Sequence, residues 1–193
     1  MLARTYERMG MDSQALAELQ QFQQMSNGSV SSYPMSASVY RSLNMRQEEG
    51  AVLADWAQTA PDSMEAHRAY GDYLRRMGDR NGAMAEYQAA IQLTPGEASN
   101  YLSAGDLYAQ QRQYDLAQQQ YLAGLDTSPG NVGLLQHLAD TYRREQDYSA
   151  AIDTYQQVID LEPGSNSATQ ARRNINQIER QIARQNAPVK PKQ

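Results

Sequence analysis

ASNYLSAGDLYAQQRQYDLAQQQYLAGLDTSPGN, residues 98–131, reads as two amphipathic helices joined by a turn. In its first half Tyr101, Ala104, Gly105 and Tyr108 fall at i, i+3, i+4 and i+7, one stripe of a helix. Its second half repeats the pattern with Ala117, Tyr121, Gly124 and Leu125. Ser128-Pro129-Gly130 ends the second helix, because proline cannot continue it and glycine accepts a left-handed turn. The spacing predicts a helical hairpin. Gly105 sits mid-helix, as do Gly71 and Ala139 at matching places. Glycine there costs about 1 kcal/mol relative to alanine, so close approach of a facing helix is the expected compensation.

Outward from this hairpin the sequence returns every 34 residues. Pro61, Pro95, Pro129 and Pro163 keep that spacing, and Gly96, Gly130 and Gly164 follow the last three. Ala83, Ala117 and Ala151 keep it too, as do Tyr87, Tyr121 and Tyr155. Tyr6, Tyr40, Tyr108 and Tyr142 share one grid, with Leu74 at the place between.

These residues resemble the tetratricopeptide repeat family. Its pattern is bulky at position 4, small at 8, Tyr or Leu at 11, Ala at 20, aromatic at 24, Ala at 27 and Pro at 32. The unit 64–97 supplies His67, Gly71, Leu74, Ala83, Tyr87, Ala90 and Pro95. The unit 98–131 supplies Tyr101, Gly105, Tyr108, Ala117, Tyr121, Gly124 and Pro129, and 132–165 supplies Leu135, Ala139, Tyr142, Ala151, Tyr155, Val158 and Pro163. His67, Gly124 and Val158 depart from the pattern. Two weaker copies lie upstream. In 30–63, Tyr33, Ala37, Tyr40, Leu53, Trp56 and Pro61 fit, Glu49 replaces the alanine, and Pro34 suits a first helical turn. In 1–29, Ala3, Tyr6, Gly10, Ala15, Leu19 and Phe22 fit, with Asn27-Gly28 as the stop. This register opens the chain partway through a helix, as expected of a segment of a longer protein. Residues 166–185 carry Ala168, Ala171, Ile175, Ile178 and Ile182 on one stripe, a helix suited to cap a solenoid. Residues 186–193 read as a disordered tail. The resemblance implies an all-α, right-handed superhelix of stacked helix-turn-helix units over 1–185.

Composition agrees with thin helical layers. Leu, Ile, Val and Phe total 29 of 193 residues, while alanine supplies 26, tyrosine 13 and methionine 9. The absence of cysteine excludes a disulfide scaffold, a zinc-thiolate site and a thiol nucleophile. A net charge of -5 disfavours nucleic acid as a partner. No apolar run approaches the roughly 18 residues of a membrane span. MLARTYERMG, at the start, lacks the apolar stretch of a signal peptide. The motifs GxGxxG, GxxxxGK[ST], GxSxG and HExxH are absent, so neither an enzyme nor a cofactor-binding protein is expected. His67 falls on a packing position and His137 two residues beyond one, which favours packing or surface roles. Twelve of the 13 tyrosines fall on packing positions, leaving Tyr73 as the exception. All nine methionines lie in the first 84 residues, which makes the N-terminal repeats a candidate surface for self-association.

In the family, first helices line a concave groove and contact ligand through positions 2, 5, 9, 12 and 13. The resemblance thereby selects Glu65, Arg68, Asp72, Arg75 and Arg76; then Ser99, Leu102, Asp106, Ala109 and Gln110; then Gly133, Gln136, Asp140, Arg143 and Arg144. Aspartate at position 9, where chaperone-binding relatives carry asparagine, disfavours a chaperone-tail clamp. Asp72 with Arg76 and Asp140 with Arg144 have i,i+4 spacing, each worth about 0.2–0.5 kcal/mol. Arginine exceeds carboxylate on this face, with Leu102 and Ala109 as an apolar floor between two arginine pairs. The expected function is a non-enzymatic scaffold holding a protein or peptide partner that bears acidic residues and an apolar anchor. The alternatives are a regulatory or spacer segment of a larger protein, such as secretion or envelope machinery or a glycosyltransferase, and a self-associating module.

Overall fold

The computed structural model of this chain describes residues 12–26 and 29–186. Among them every regular element is helical: α1 (Asp12–Ser26), a 3-10 turn (Val30–Ser32), α2 (Tyr33–Ser42), α3 (Arg46–Thr59), α4 (Met64–Met77) and α5 (Arg80–Leu93). There follow α6 (Ala98–Gln110), α7 (Tyr114–Thr127), α8 (Val132–Glu145), α9 (Tyr148–Leu161) and α10 (Asn166–Gln185). The all-α hairpin reading holds. Expectations for Ala3, Tyr6, Gly10, Asn27, Gly28 and the tail beyond Asn186 lie outside the described residues. Among the described residues no helix is long and apolar enough to cross a membrane.

Side-chain caps start several of these helices. Ser63, Asp79, Asn131, Asp147 and Ser165 accept the backbone N–H three residues on, satisfying a donor that the first turn leaves unpaired. Pro34 stands in the first turn of α2. Between the two helices of each hairpin one residue turns left-handed: Asn44 (φ 56°), Gly78 (φ 86°), Arg112 (φ 60°) and Gln146 (φ 67°), again 34 residues apart. Only one of the four is glycine. For Arg112 and Gln146 the left-handed conformation costs roughly 1–2 kcal/mol, which the packed hairpin must offset.

The chain divides into two compact units, Met1–Thr94 and Pro95–Gln193. In the first, α1 lies against α2, and α2, α3, α4 and α5 pack each on the next. In the second, α6 through α10 do the same, and α8 also touches α6 and α10. Helices therefore meet their neighbours in sequence, the arrangement of stacked hairpins.

Tyr87, Tyr121 and Tyr155 are the largest fully buried side chains. The mid-helix glycines make room for two of them. A Cβ on Gly105 would stand 2.3 Å from Tyr121 Cε1, and one on Gly71 would stand 2.8 Å from Tyr87 Cε1. Close approach is thus the compensation for glycine, and an aromatic ring makes it. Tyr73 has its own notch: a Cβ on Gly50 would meet its hydroxyl at 2.3 Å, and that hydroxyl donates to the Arg46 carbonyl at 3.0 Å. In α10, Ala168, Ala171 and Ile178 are buried against α8 and α9, with Ile175 and Ile182 at the edge. Asn174 shares the buried stripe and accepts from Gln170 at 3.0 Å.

Candidate functional site

The three aspartates selected from the sequence are engaged inside their own hairpins. Tyr87 Oη donates to Asp72 Oδ1 at 2.8 Å, Tyr121 Oη donates to Asp106 Oδ1 at 2.8 Å, and Tyr155 Oη donates to Asp140 Oδ1. Burial and then the facing carboxylate push the phenols of Tyr87 and Tyr121 up. The same two effects, burial first, push Tyr155 up to about 12. In residues 30–63 the corresponding places hold Ser38 and Leu53, so carboxylate and phenol are missing together. Position 9 is aspartate where position 24 is tyrosine because the buried hydroxyl needs an acceptor.

The expected i,i+4 pairs are replaced by i,i+3 pairs. Arg75 Nη2 lies 3.6 Å from Asp72 Oδ1, and Arg143 Nη2 lies 3.3 Å from Asp140 Oδ1. Arg76 instead meets Glu49 Oε1 of α3 at 2.5 Å, and Arg41 Nε approaches the same oxygen at 3.9 Å. The physical reason is burial. The Glu49 side chain is 5% exposed and draws a cation more strongly than Asp72, which already accepts Tyr87 and Arg75. Glu49 departs from the family alanine because two arginines converge on it. Asp140 is likewise occupied by Tyr155 and Arg143, so Arg144 has no carboxylate within ion-pair distance among the described residues.

Each unit carries a cavity beside these residues. In the first unit an open cavity of about 420 Å³ is lined by α2 (Pro34, Ala37, Ser38, Arg41), α3 (Glu49, Leu53, Trp56) and α4 (Glu65, Arg68, Ala69, Asp72, Arg76). In the second unit a cavity of about 200 Å³ lies between Asp106, Ala109 and Gln110 of α6, Tyr121 of α7, and His137, Asp140, Thr141 and Arg144 of α8. Of the residues selected from the sequence, Glu65, Arg68, Asp72 and Arg76 meet at the first cavity. Asp106, Ala109, Gln110, Asp140 and Arg144 meet at the second. Arg75, Leu102, Gln136 and Arg143 line neither, so the apolar floor expected from Leu102 with Ala109 is reduced to Ala109.

His137, which the sequence favoured for a packing or surface role, lines the second cavity. Its Nδ1 donates to Asp106 Oδ1 at 2.6 Å, the oxygen that also accepts Tyr121, and this bond raises its pKa above the ordinary value. On the same helix, Thr141 Oγ1 donates to the His137 backbone carbonyl at 2.7 Å. His67 does pack: its ring bridges Glu86 at 2.7 Å and the Pro61 carbonyl at 3.0 Å. Met77 is exposed while Met35, Met45, Met64 and Met84 are half-buried; the side chains of Met1, Met9, Met11 and Met25 lie outside the described residues. No group of three or more histidines and carboxylates among the described residues is placed to hold a metal ion.

Residues 102–166 match the tetratricopeptide repeat family model. No curated protein matches the sequence. Among solved structures, yeast Tom70 aligns with a TM-score of 0.77 at 15% identity, covering 97% of this chain and 40% of that one. PilW, a widely conserved type IV pilus biogenesis factor, aligns at 0.70 and 20% identity, covering 98% and 92%. YrrB, a TPR protein with an unusual peptide-binding site, aligns at 0.63 and 18% identity, covering 89% and 88%.

Proposed function

We propose that this chain, whose residues 102–166 match the tetratricopeptide repeat model, is a non-enzymatic scaffold holding an acidic peptide segment of a partner protein. One observation carries this reading. At both cavities the aspartates and Glu49 are occupied by internal donors, while Arg68 in the first unit and Arg144 in the second have no carboxylate partner among the described residues. An unpaired guanidinium beside a cavity offers a planar fork to a carboxylate. Arg68, Arg76, Ala109, Gln110 and Arg144 are the residues proposed to meet the partner directly. Asp72, Asp106 and Asp140, with Arg75 and Arg143, position the helices that carry them, and Leu102 and Gln136 flank the contact on α6 and α8. The likeness in fold to YrrB supports a peptide as the ligand class.

Affinity capture tests the proposal, comparing the parent protein with the Arg68→Glu, Arg144→Glu double variant at matched helicity. The parent retains a partner that the double variant releases. A partner held equally by both would overturn the proposal and move the contact to another face.

A further inference from the structure

The first-unit cavity, at about 420 Å³, falls within the range of ligand pockets, about 300–1,000 Å³. Its walls divide by chemistry. Pro34, Ala37, Leu53 and Ala69 supply apolar surface. Glu49 holds Arg76 and Arg41, Asp72 holds Arg75 and accepts Tyr87, and Glu65 accepts the Ser63 hydroxyl at 3.3 Å. Arg68 is the cavity arginine left without a carboxylate among the described residues, and its Nε is buried with no hydrogen-bond partner. Trp56, 7% exposed, adds to the same lining a buried indole N–H that also has no partner. Two unmatched donors in one wall favour oxygen acceptors, because a buried donor without a partner is a cost that a ligand can remove. A basic ligand would find Glu49 and Asp72 already paired with arginine, leaving only the exposed Glu65 at the rim.

Resting on the scaffold reading above, we infer that this cavity is an anchor pocket for one apolar side chain of the partner peptide with a carboxylate next to it in the peptide chain. The apolar group sits on Ala37, Leu53 and Ala69, the carboxylate meets Arg68, and a peptide oxygen satisfies the Trp56 indole N–H. Burial of an apolar anchor beside a charge pair is the arrangement that concentrates binding energy in few residues.

Trp56 is the one tryptophan of the chain, so its emission reports on the cavity. The experiment titrates the full chain with a capped Gly-Asp-Leu-Asp-Gly peptide. Two control peptides replace the leucine with serine or both aspartates with lysine. The expected result is a saturable change in Trp56 emission with the first peptide and at least tenfold weaker binding of both controls. The change is lost in Arg68→Glu and weakened in Arg68→Gln, both with parental far-UV circular dichroism. No saturable change, equal binding of the lysine peptide, or an unaltered titration in the folded Arg68 variants would each overturn the inference. A captured partner that leaves Trp56 emission unchanged would overturn it while leaving the scaffold function standing.

Discussion

Replacing Gly105 by alanine sets helix propensity against packing. The Cβ would stand 2.3 Å from Tyr121 Cε1, 2.7 Å from Cδ1 and 2.8 Å from Cζ. Carbon atoms pack at about 3.5–4.0 Å, so the ring must retreat by roughly 1 Å. Tyr121 is 1% exposed and its hydroxyl is held by Asp106 at 2.8 Å, which leaves the ring nowhere to go without loosening that bond. Overpacking costs about 1–3 kcal/mol, and a hydrogen bond to a charged group is worth about 1.5–3 kcal/mol, part of which is lost. Against these, alanine gains about 1 kcal/mol in the helix. The net expectation is destabilisation by about 2 kcal/mol, read as a lower urea midpoint by circular dichroism. Gly71→Ala, whose nearest contact is 2.8 Å, should cost less. In a Tyr121→Leu background, Gly105→Ala should cost little, because the shorter side chain vacates the space. A Gly105→Ala protein as stable as the parent would refute the notch.

Two further perturbations probe the charges. Arg76→Ala strands the buried Glu49 with only the more distant Arg41, a loss of about 3 kcal/mol, whereas Glu49→Ala frees arginines that face water and costs about 1 kcal/mol. The reverse order of urea midpoints would contradict the buried pair. His137 is raised above 6.5 chiefly by its bond to Asp106, with Asp140 adding to the effect and burial and Arg144 opposing it. A raised histidine stabilises fully below its unfolded value and loses that contribution as pH rises through the folded value. The stability gap between the parent and His137→Gln should therefore be larger at pH 5.5 than at pH 8.5, and a gap constant across that range would contradict the Asp106 bond.

The 34-residue spacing made the hairpins legible, and Gly71 and Gly105 foretold a close approach, since nothing else offsets mid-helix glycine. The wiring of the charged residues was not legible. Asp72 can reach Arg75 or Arg76 by helical spacing alone, and the choice depends on Glu49, 27 residues upstream of Arg76, being buried. Glu49 read as a lapse from the alanine pattern because its partners lie on other helices. Tyr73 read as off-register because its notch, Gly50, belongs to the preceding hairpin. The left-handed turns at Arg112 and Gln146 were hidden because neither residue announces a positive φ, whereas Gly78 does.

The most direct measurement compares two double variants in parallel for partner retention and urea midpoint. One is Arg68→Ala with Arg144→Ala, and the other is Arg75→Ala with Arg143→Ala. The first is expected to release the partner at unchanged stability, while the second keeps the partner and unfolds at lower urea. A second variant that releases the partner, beside a first that keeps it, would contradict the division between arginines that bind and arginines that hold the fold.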